Sequence, residues 1–559
     1  MLLSNLNLLA TAPGGVARLR ELILTLAVQG KLVPQDPKDE SASELLKKIR
    51  AEKDRLIAHG KIKRDKPLAE IAAEEKPFGL PRGWEWVRLP EVTHNLGQGA
   101  PAERFTYIDV AAIDNEGGFV KDAAEIVEAV DAPSRARKNV AVGTVLYSTV
   151  RPYLKNIAVV EKDYEPKAIA STAFAIMHPH GGLHSKYLLH YLRSAIFTDF
   201  VSSKAVGVAY PAINDANFFE GVVALPPTKE QTRIVTRVEE LMRLCDALEA
   251  KGQLEATQHD QLVSTLLGAL TESETPGQLT DNWHRIATHF DLLLDRPEAV
   301  DALEQTILQL AVRGLLVPQD PQDQPASELL KKIRLEKDKL IAEGKIKRDK
   351  PLPPIAEDEQ PFALPRGWSW ARFPELGDFG RGKSKHRPRN DPSLFNPPKY
   401  PLIQTGEVSR AKGIVQEVHS YYSDIGLAQS LMWPKGTLCI TIAANIAESA
   451  VLGFDSCFPD SVVGFVPATA MGNVEYFLLF VETARADLLA FAPATAQKNI
   501  NLEILSSLLI PVPPLNELTR IVTRVASLRR LCADLRQRLT ASQSTQANLA
   551  EALVESIAS

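Results

Sequence analysis

QDPKDESASELLKKIRAEKDRLIAHGKIKRDKPL, from Gln35 to Leu68, returns as QDPQDQPASELLKKIRLEKDKLIAEGKIKRDKPL from Gln319 to Leu352. Over the wider span Gly30 to Leu68, 32 of 39 residues recur identically from Gly314 to Leu352, so the chain carries an internal duplication. Two further phrases repeat in the same order. LPRGWEW at Leu80 to Trp86 returns as LPRGWSW at Leu364 to Trp370, and LPPTKEQTRIVTRV at Leu225 to Val238 returns as VPPLNELTRIVTRV at Val512 to Val525. Between these landmarks the copies are nearly unrelated. A frame kept twice around two divergent inserts suits a scaffold that holds two different recognition surfaces.

At 559 residues the chain is too long for one core and should split into several domains. The landmarks divide it into a repeated helical region 1–75, a first insert 76–227, a helical spacer 228–314, the second repeated helical region 315–360, a second insert 361–514 and a closing helix 515–559. No run approaches the roughly 18 uninterrupted apolar residues of a membrane span. The opening MLLSNLNLLATAPGG lacks the basic leader and cleavage pattern of a secretory signal, so a cytoplasmic chain with no membrane partner is expected. Four cysteines without a C-x-x-C pair exclude a disulfide framework, and no metal is expected; Cys245 and Cys532 occupy equivalent helical positions as small buried residues. A net charge of -5 means that any nucleic-acid contact must come from local basic patches.

After each proline pair, apolar residues fall at Ile234, Val238, Leu241, Cys245 and Leu248, resuming at Leu262 and Leu266. The second copy has Ile521, Val525, Leu528, Cys532, Leu535 and Leu539, then Leu549 and Leu553. This 4-3 rhythm is a coiled-coil seam, and the two helices bury it most economically on each other. Shorter helices are predicted over Val16 to Ala27 and Val300 to Ala311, ending at the C-cap glycines Gly30 and Gly314, and over Ala42 to Ala58 and Ala326 to Ala342.

The first insert carries PSRARKNVAVGTVLYSTVRPYLK from Pro133 to Lys155, with Arg135, Arg137, Lys138, Arg151 and Lys155 and no acidic residue. Its middle, Val140 to Val150, reads as one or two strands with a glycine bend, and Tyr147 and Tyr153 interleave with the cations. A second short candidate is GVAYPAIND at Gly207 to Asp215, with Tyr210. In the second insert, GDFGRGKSKHRPRNDP from Gly377 to Pro392 supplies Arg381, Lys383, Lys385, His386, Arg387 and Arg389. The strand-like YPLIQTGEVS that follows leads to Gln404, Thr405 and Glu407, where an exposed Gln or Glu could read adenine or cytosine edges. Basic and aromatic side chains along strands and their loops can neutralise phosphates and reach base edges in a groove.

Two formal motifs point elsewhere. Gly377 to Ser384 reads G-x-x-x-x-G-K-S, but Pro388 and Pro392 interrupt the helix that a phosphate loop requires. Asn396 to Lys399, NPPK, lacks the aromatic of an amino-methyltransferase motif and has no glycine-rich cofactor loop beside it. A nucleotide- or S-adenosylmethionine-dependent enzyme built on either is the alternative reading. No Ser, His and Asp set has a local catalytic signature.

The order LAVQGKLVPQDP, LPRGWEW, PP-x-x-E-x-x-R-I-V, given twice, resembles the DNA-specificity subunit of Type I restriction-modification enzymes. The resemblance implies an α+β or α/β chain of two target-recognition domains with twisted sheets. These would be separated and joined by repeated helices in an antiparallel coiled coil with pseudo-twofold symmetry. Each domain would read half of a bipartite site in double-stranded DNA, and the helices would set the spacer and dock two methyltransferase subunits. S-adenosylmethionine, ATP and magnesium would belong to those subunits and to restriction/translocase subunits, with no cofactor and no catalysis in this chain. Ile213, Asn214 and Ile500, Asn501, near the insert ends, read as a structural correspondence.

Overall fold

A computed structural model describes residues 6–64, 68–122, 124–346, 348, 352–386, 388–443, 445–490 and 500–558. The chain forms two compact units, residues 1–256 with 542–559, and residues 257–541. Both are mixed α/β.

In the first unit a helix over Gly15–Val28 buries Leu19, Ile23, Leu26 and Ala27 and stops where Gly30 adopts φ +69°. Lys31 N–H then closes on the Leu26 carbonyl at 2.8 Å, satisfying a carbonyl that the helix end leaves open. A second helix, Ala42–Ala58, buries Leu45, Leu46 and Ile49. The first insert opens with the strand Glu85–Arg88 and closes with Val222–Leu225, and these two pair antiparallel, Trp86 opposite Ala224. An insert whose ends lie side by side can change internally without moving its frame.

Inside the first insert, a four-stranded sheet runs in the order Glu125–Val127, Phe105–Ile108, Ala168–Ser171, Ala136–Asn139. A six-stranded sheet runs Thr93–His94, Phe174–Pro179, Val145–Ser148, Ile157–Val159, Phe119–Val120, Ile113–Asp114. Ile108 and Ala170 from the former share one core with Leu146, Phe174 and Ile176 from the latter. The strand expected within Val140 to Val150 is Val145–Ser148, reached through a turn in which Gly143 has φ +86°; Tyr147 on it is buried against Phe197 and Phe218 and does not join the cations.

The second unit repeats the frame. Helices Pro297–Val312 and Ala326–Ala342 take the corresponding places, Gly314 has φ +70°, and Ser369–Arg372 pairs antiparallel with Leu509–Val512. The second insert has its own sheets. One runs Gly377–Arg381, Val462–Pro467, Leu438–Thr441, Ser449–Leu452, Ile414–Val415; the other runs Ser420–Tyr422, Tyr400–Leu402, Ser456–Cys457, Met432–Trp433.

Each proline pair ends a strand and is followed by a long helix, Thr228–Thr271 or Leu515–Ala558, each of 44 residues. In the first unit Leu241, Cys245 and Leu248 share a core with Ala550, Leu553 and Val554; in the second, Val263, Leu267 and Leu270 share one with Leu528, Cys532 and Leu535. The far ends of the expected seam need correction. Leu262 and Leu549 are exposed at 52% and 56%, and the inward positions there are Val263 and Ala550. Val263 belongs to the core of the second unit and Ala550 to that of the first, and the expected seam residues Leu266 and Leu553 pack against the same cores. The free thiols of Cys245 and Cys532 are buried, as expected. Among the described residues no helix is long and apolar enough to cross a membrane.

Candidate nucleic-acid interface

The repeated phrases meet in a clamp that fixes each insert on its frame. The Trp84 indole N–H donates to the Glu230 carboxylate at 3.1 Å, and Gln35 donates to the Gly30 carbonyl at 2.6 Å. A Cβ on Gly30 would lie 2.9 Å from Trp84 and 2.5 Å from Pro81, so this glycine is needed both for its φ and for the close approach. Arg233 reaches Asp39 at 2.7 Å. In the second unit Gln319 bonds the Gly314 carbonyl at 2.9 Å, Arg520 reaches Asp323 at 2.6 Å, and Glu517 sits against Trp368. Burial raises the Glu230 carboxyl and pushes Glu517 up to about 7.

Two candidate segments of the first insert come together. Val150 bridges to Ala212, and the Arg151 N–H donates to the Pro211 carbonyl at 2.8 Å. The Arg151 guanidinium consequently lies 4.3 Å from the Tyr210 ring centre, a cation-π contact. Arg151 and Lys155 flank the turn Pro152–Leu154 with φ of 49° and 51°, the left-handed region that non-glycine residues seldom occupy. Around them Tyr153, Leu154, Val206, Val208 and Tyr210 are exposed. These exposed apolar side chains lie beside the half-buried cations Arg151 and Lys155. The valines were not singled out in the sequence, where GVAY reads only as a short loop. Their exposure follows from the Val206 and Ala212 bridge, which projects the tip between them.

The remaining cations of that insert divide. Arg135 is exposed, and Arg137 donates to the Ser134 carbonyl at 3.0 Å. Lys138 donates to the Phe174 carbonyl at 2.7 Å and to Asp215 at 2.9 Å, so its ammonium ties the insert together. Lys155 is 4.0 Å from Glu21 on the frame helix. Ile213 and Ile500 are buried, and the side chains of Asn214 and Asn501 each cap a short helix at 2.8 Å, the structural role expected of both pairs.

In the second insert Gly377–Arg381 is a strand, paired with Val462–Pro467, and no helix follows through His386. Its glycines serve packing: a Cβ on Gly377 would meet the Val466 carbonyl oxygen at 2.0 Å, and one on Gly382 the Phe458 carbonyl oxygen at 2.2 Å. The loop is held through its backbone. Phe458 accepts from Lys383 N–H at 3.2 Å, and the Gln429 amide oxygen accepts from Lys385 and His386 N–H at 2.6 and 3.1 Å. Arg381, Lys383 and Lys385 are exposed on it. His386 bonds Asp391 at 2.9 Å, Arg389 pairs with Asp460 at 3.0 Å, and Arg387 lies outside the described residues. Gln404 is exposed at the start of the helix Thr405–Arg410, rather than along a continuing strand, because Glu407 caps its N–H at 2.9 Å. Lys399 of the NPPK stretch pairs with Asp424 at 2.8 Å.

Residues 368–542 match the family described as Type I restriction modification DNA specificity domain. The Type I restriction enzyme EcoAI specificity subunit of Escherichia coli is 34% identical, the match covering 97% of this chain and 93% of the relative. The EcoEI specificity subunit of the same organism is 35% identical over the same shares, 97% and 93%. A solved chain from work on complex assembly and conformational transition of the type I R-M system matches with TM-score 0.52 and 22% identity, over 86% of this chain and 99% of that one, and shows the shared fold. The chain belongs to the family of Type I restriction enzyme specificity subunits.

Proposed function

We propose that each insert reads one half of a bipartite, non-palindromic site in double-stranded DNA, and that the long helices set the gap between the halves. The observation that carries this is the contrast between frame and inserts. The frame contacts recur, Gln35 and Gln319 on the glycine carbonyls and Arg233 and Arg520 on Asp39 and Asp323, whereas the cation-rich surfaces, half-buried Arg151 with exposed Tyr210 in one insert and exposed Arg381, Lys383 and Lys385 in the other, share no pattern. In the first insert Arg135, Arg137, Arg151, Tyr153, Lys155 and Tyr210 contact DNA; in the second Arg381, Lys383, Lys385, Gln404 and Thr405 do so, with Arg387 as a further candidate. Lys138, His386 and Arg389 hold these surfaces in shape through Asp215, Asp391 and Asp460.

The shared cores of the two long helices support an antiparallel coiled coil as the ruler, and the frame helices as docking surfaces for two methyltransferase subunits. The chain itself is non-catalytic in this reading. S-adenosylmethionine, ATP and magnesium are held by the methyltransferase and nuclease subunits of a cytoplasmic complex.

The test uses the chain purified with its methyltransferase partners and a duplex bearing the site mapped from methylated bases in the host genome. Binding should require both half-sites and fall linearly as log K against log salt. Equal affinity for a duplex with one half scrambled overturns the bipartite reading. Inserting one helical turn near Leu254 and Leu539 should change the recognised spacer and leave the bases unchanged; unchanged spacing sinks the ruler.

A further inference from the structure

The two units bury the same apolar residues where a short frame helix meets its long helix. Leu19, Ile23 and Ala27 lie in one core with Leu241, Cys245 and Leu248, and the equivalent Leu303, Ile307 and Ala311 lie in the other with Leu528, Cys532 and Leu535. These contacts cannot distinguish one pairing from the other. Beside them the charges are reversed. In the first unit the cation is on the short helix: Arg20 reaches Asp246 at 2.6 Å and Glu249 at 2.8 Å. In the second it is on the long helix: Arg536 reaches Asp301 at 2.6 Å and Glu304 at 2.9 Å, and Arg529 adds a contact to Glu304 at 3.2 Å.

The repeats align Arg20 with Glu304 and Glu249 with Arg536, so one pair of positions carries opposite signs in the two copies. The flanking carboxylates move with them, since Asp246 aligns with Ala533 and Asp301 with Ala17. Docking the first short helix on the second long helix would bring Arg20 to Arg529 and Arg536. The converse would set Asp301 and Glu304 against Asp246 and Glu249. Partly exposed ion pairs contribute little each, but the difference between attraction and repulsion at several positions of one interface discriminates between partners.

We propose that this sign inversion is a pairing code that directs each short helix to the proximal segment of its own long helix, around Asp246 and Glu249 or Arg529 and Arg536, and rejects the equivalent segment of the other, above all that of a second copy of this chain. The distal end of the second long helix, which Arg18 meets at Glu551, 3.0 Å away, lies outside the code. Two near-identical frames in one polypeptide otherwise invite exchange of helices between chains.

The experiment uses the full-length chain and light scattering after size exclusion at low and high salt. R20E with E304R gives both short helices the wrong sign; the ratio of dimer to monomer should rise at least tenfold at low salt, and the rise should shrink at high salt. Adding E249R and R536E reverses the long helices as well and should bring the ratio back toward that of the unaltered chain. R20Q with E304Q removes attraction without adding repulsion, so it keeps the test open should the reversed chain prove insoluble; an intermediate rise is expected. If soluble reversed or neutral chains keep the unaltered ratio, or the fourfold variant behaves like the double, the code is refuted.

Discussion

The indole N–H of Trp84 donates to the carboxylate of Glu230 across 3.1 Å, joining the phrase that opens the first insert to the phrase that closes it. Glu230 is 1% exposed, so removing this donor leaves a buried carboxylate short of a partner. Trp84→Phe should therefore destabilise the chain by about 1–3 kcal/mol, read by urea unfolding or calorimetry. A loss below about 0.5 kcal/mol, the ordinary range of surface substitutions, would mean that the hydrogen bond is incidental.

The second clamp predicts a pH dependence of its own. Burial raises Glu517 from 4.5 to about 7, so the folded chain holds a proton that the unfolded chain has released between those values. Its contribution is fully present below about pH 4.5 and is lost as pH rises through about 7. Glu517→Gln should flatten that part of the curve of stability against pH. An unaltered slope from pH 5 to 7 would show that Glu517 is not the titrating group.

The histidines of the first insert act in the opposite sense. His94 lies beside His180, ring centres 4.5 Å apart and tilted by 32°, with His178 5.2 Å from His94 and Glu52 3.7 Å from His180. Burial lowers all three, His94 to about 4, helped there by the neighbouring imidazoles. A depressed histidine contributes stability that is present above its unfolded value, 6.5, and is lost as pH falls through the folded one. His94→Gln should make stability less sensitive to acid between pH 6.5 and 4, followed by circular dichroism. The same acid sensitivity in the variant would exclude this residue.

Cations assigned to DNA and cations assigned to the fold should separate experimentally. Lys383→Ala should weaken binding to every duplex and reduce the salt slope by about 1. Lys138→Ala should lower the melting temperature and leave that slope alone, since its ammonium already bonds Phe174 and Asp215. At the exposed tip, Val208→Ser should change stability by less than about 0.5 kcal/mol while weakening binding to the specific duplex. Equal loss on specific and random DNA would remove Val208 from base reading.

Most of the frame was legible in the sequence. The helices Ala42–Ala58 and Ala326–Ala342 have the expected bounds because periodic apolar residues and closing glycines are local signals. The candidate interface was less so. Arg151 and Tyr210 lie in segments far apart in sequence and meet only through the Val150 and Ala212 bridge. Lys138 looked like its neighbouring cations until Asp215 folded back onto it. Leu262 and Leu549 fitted the seam by spacing, yet spacing does not say which core a long helix joins along each part of its length.

By itself the sequence determined that one frame is written twice, where the repeated frame helices start and stop, and that two unlike inserts carry the cations. Those properties depend on neighbours along the chain. Only the tertiary structure decided that each insert closes on itself through a paired strand, that Trp84 and Glu230 clamp the first, which cations remain exposed, and that Arg20 and Arg536 hold opposite sides of equivalent ion pairs. These depend on residues brought together across hundreds of positions, where burial, hydrogen bonding and charge act through distance in space.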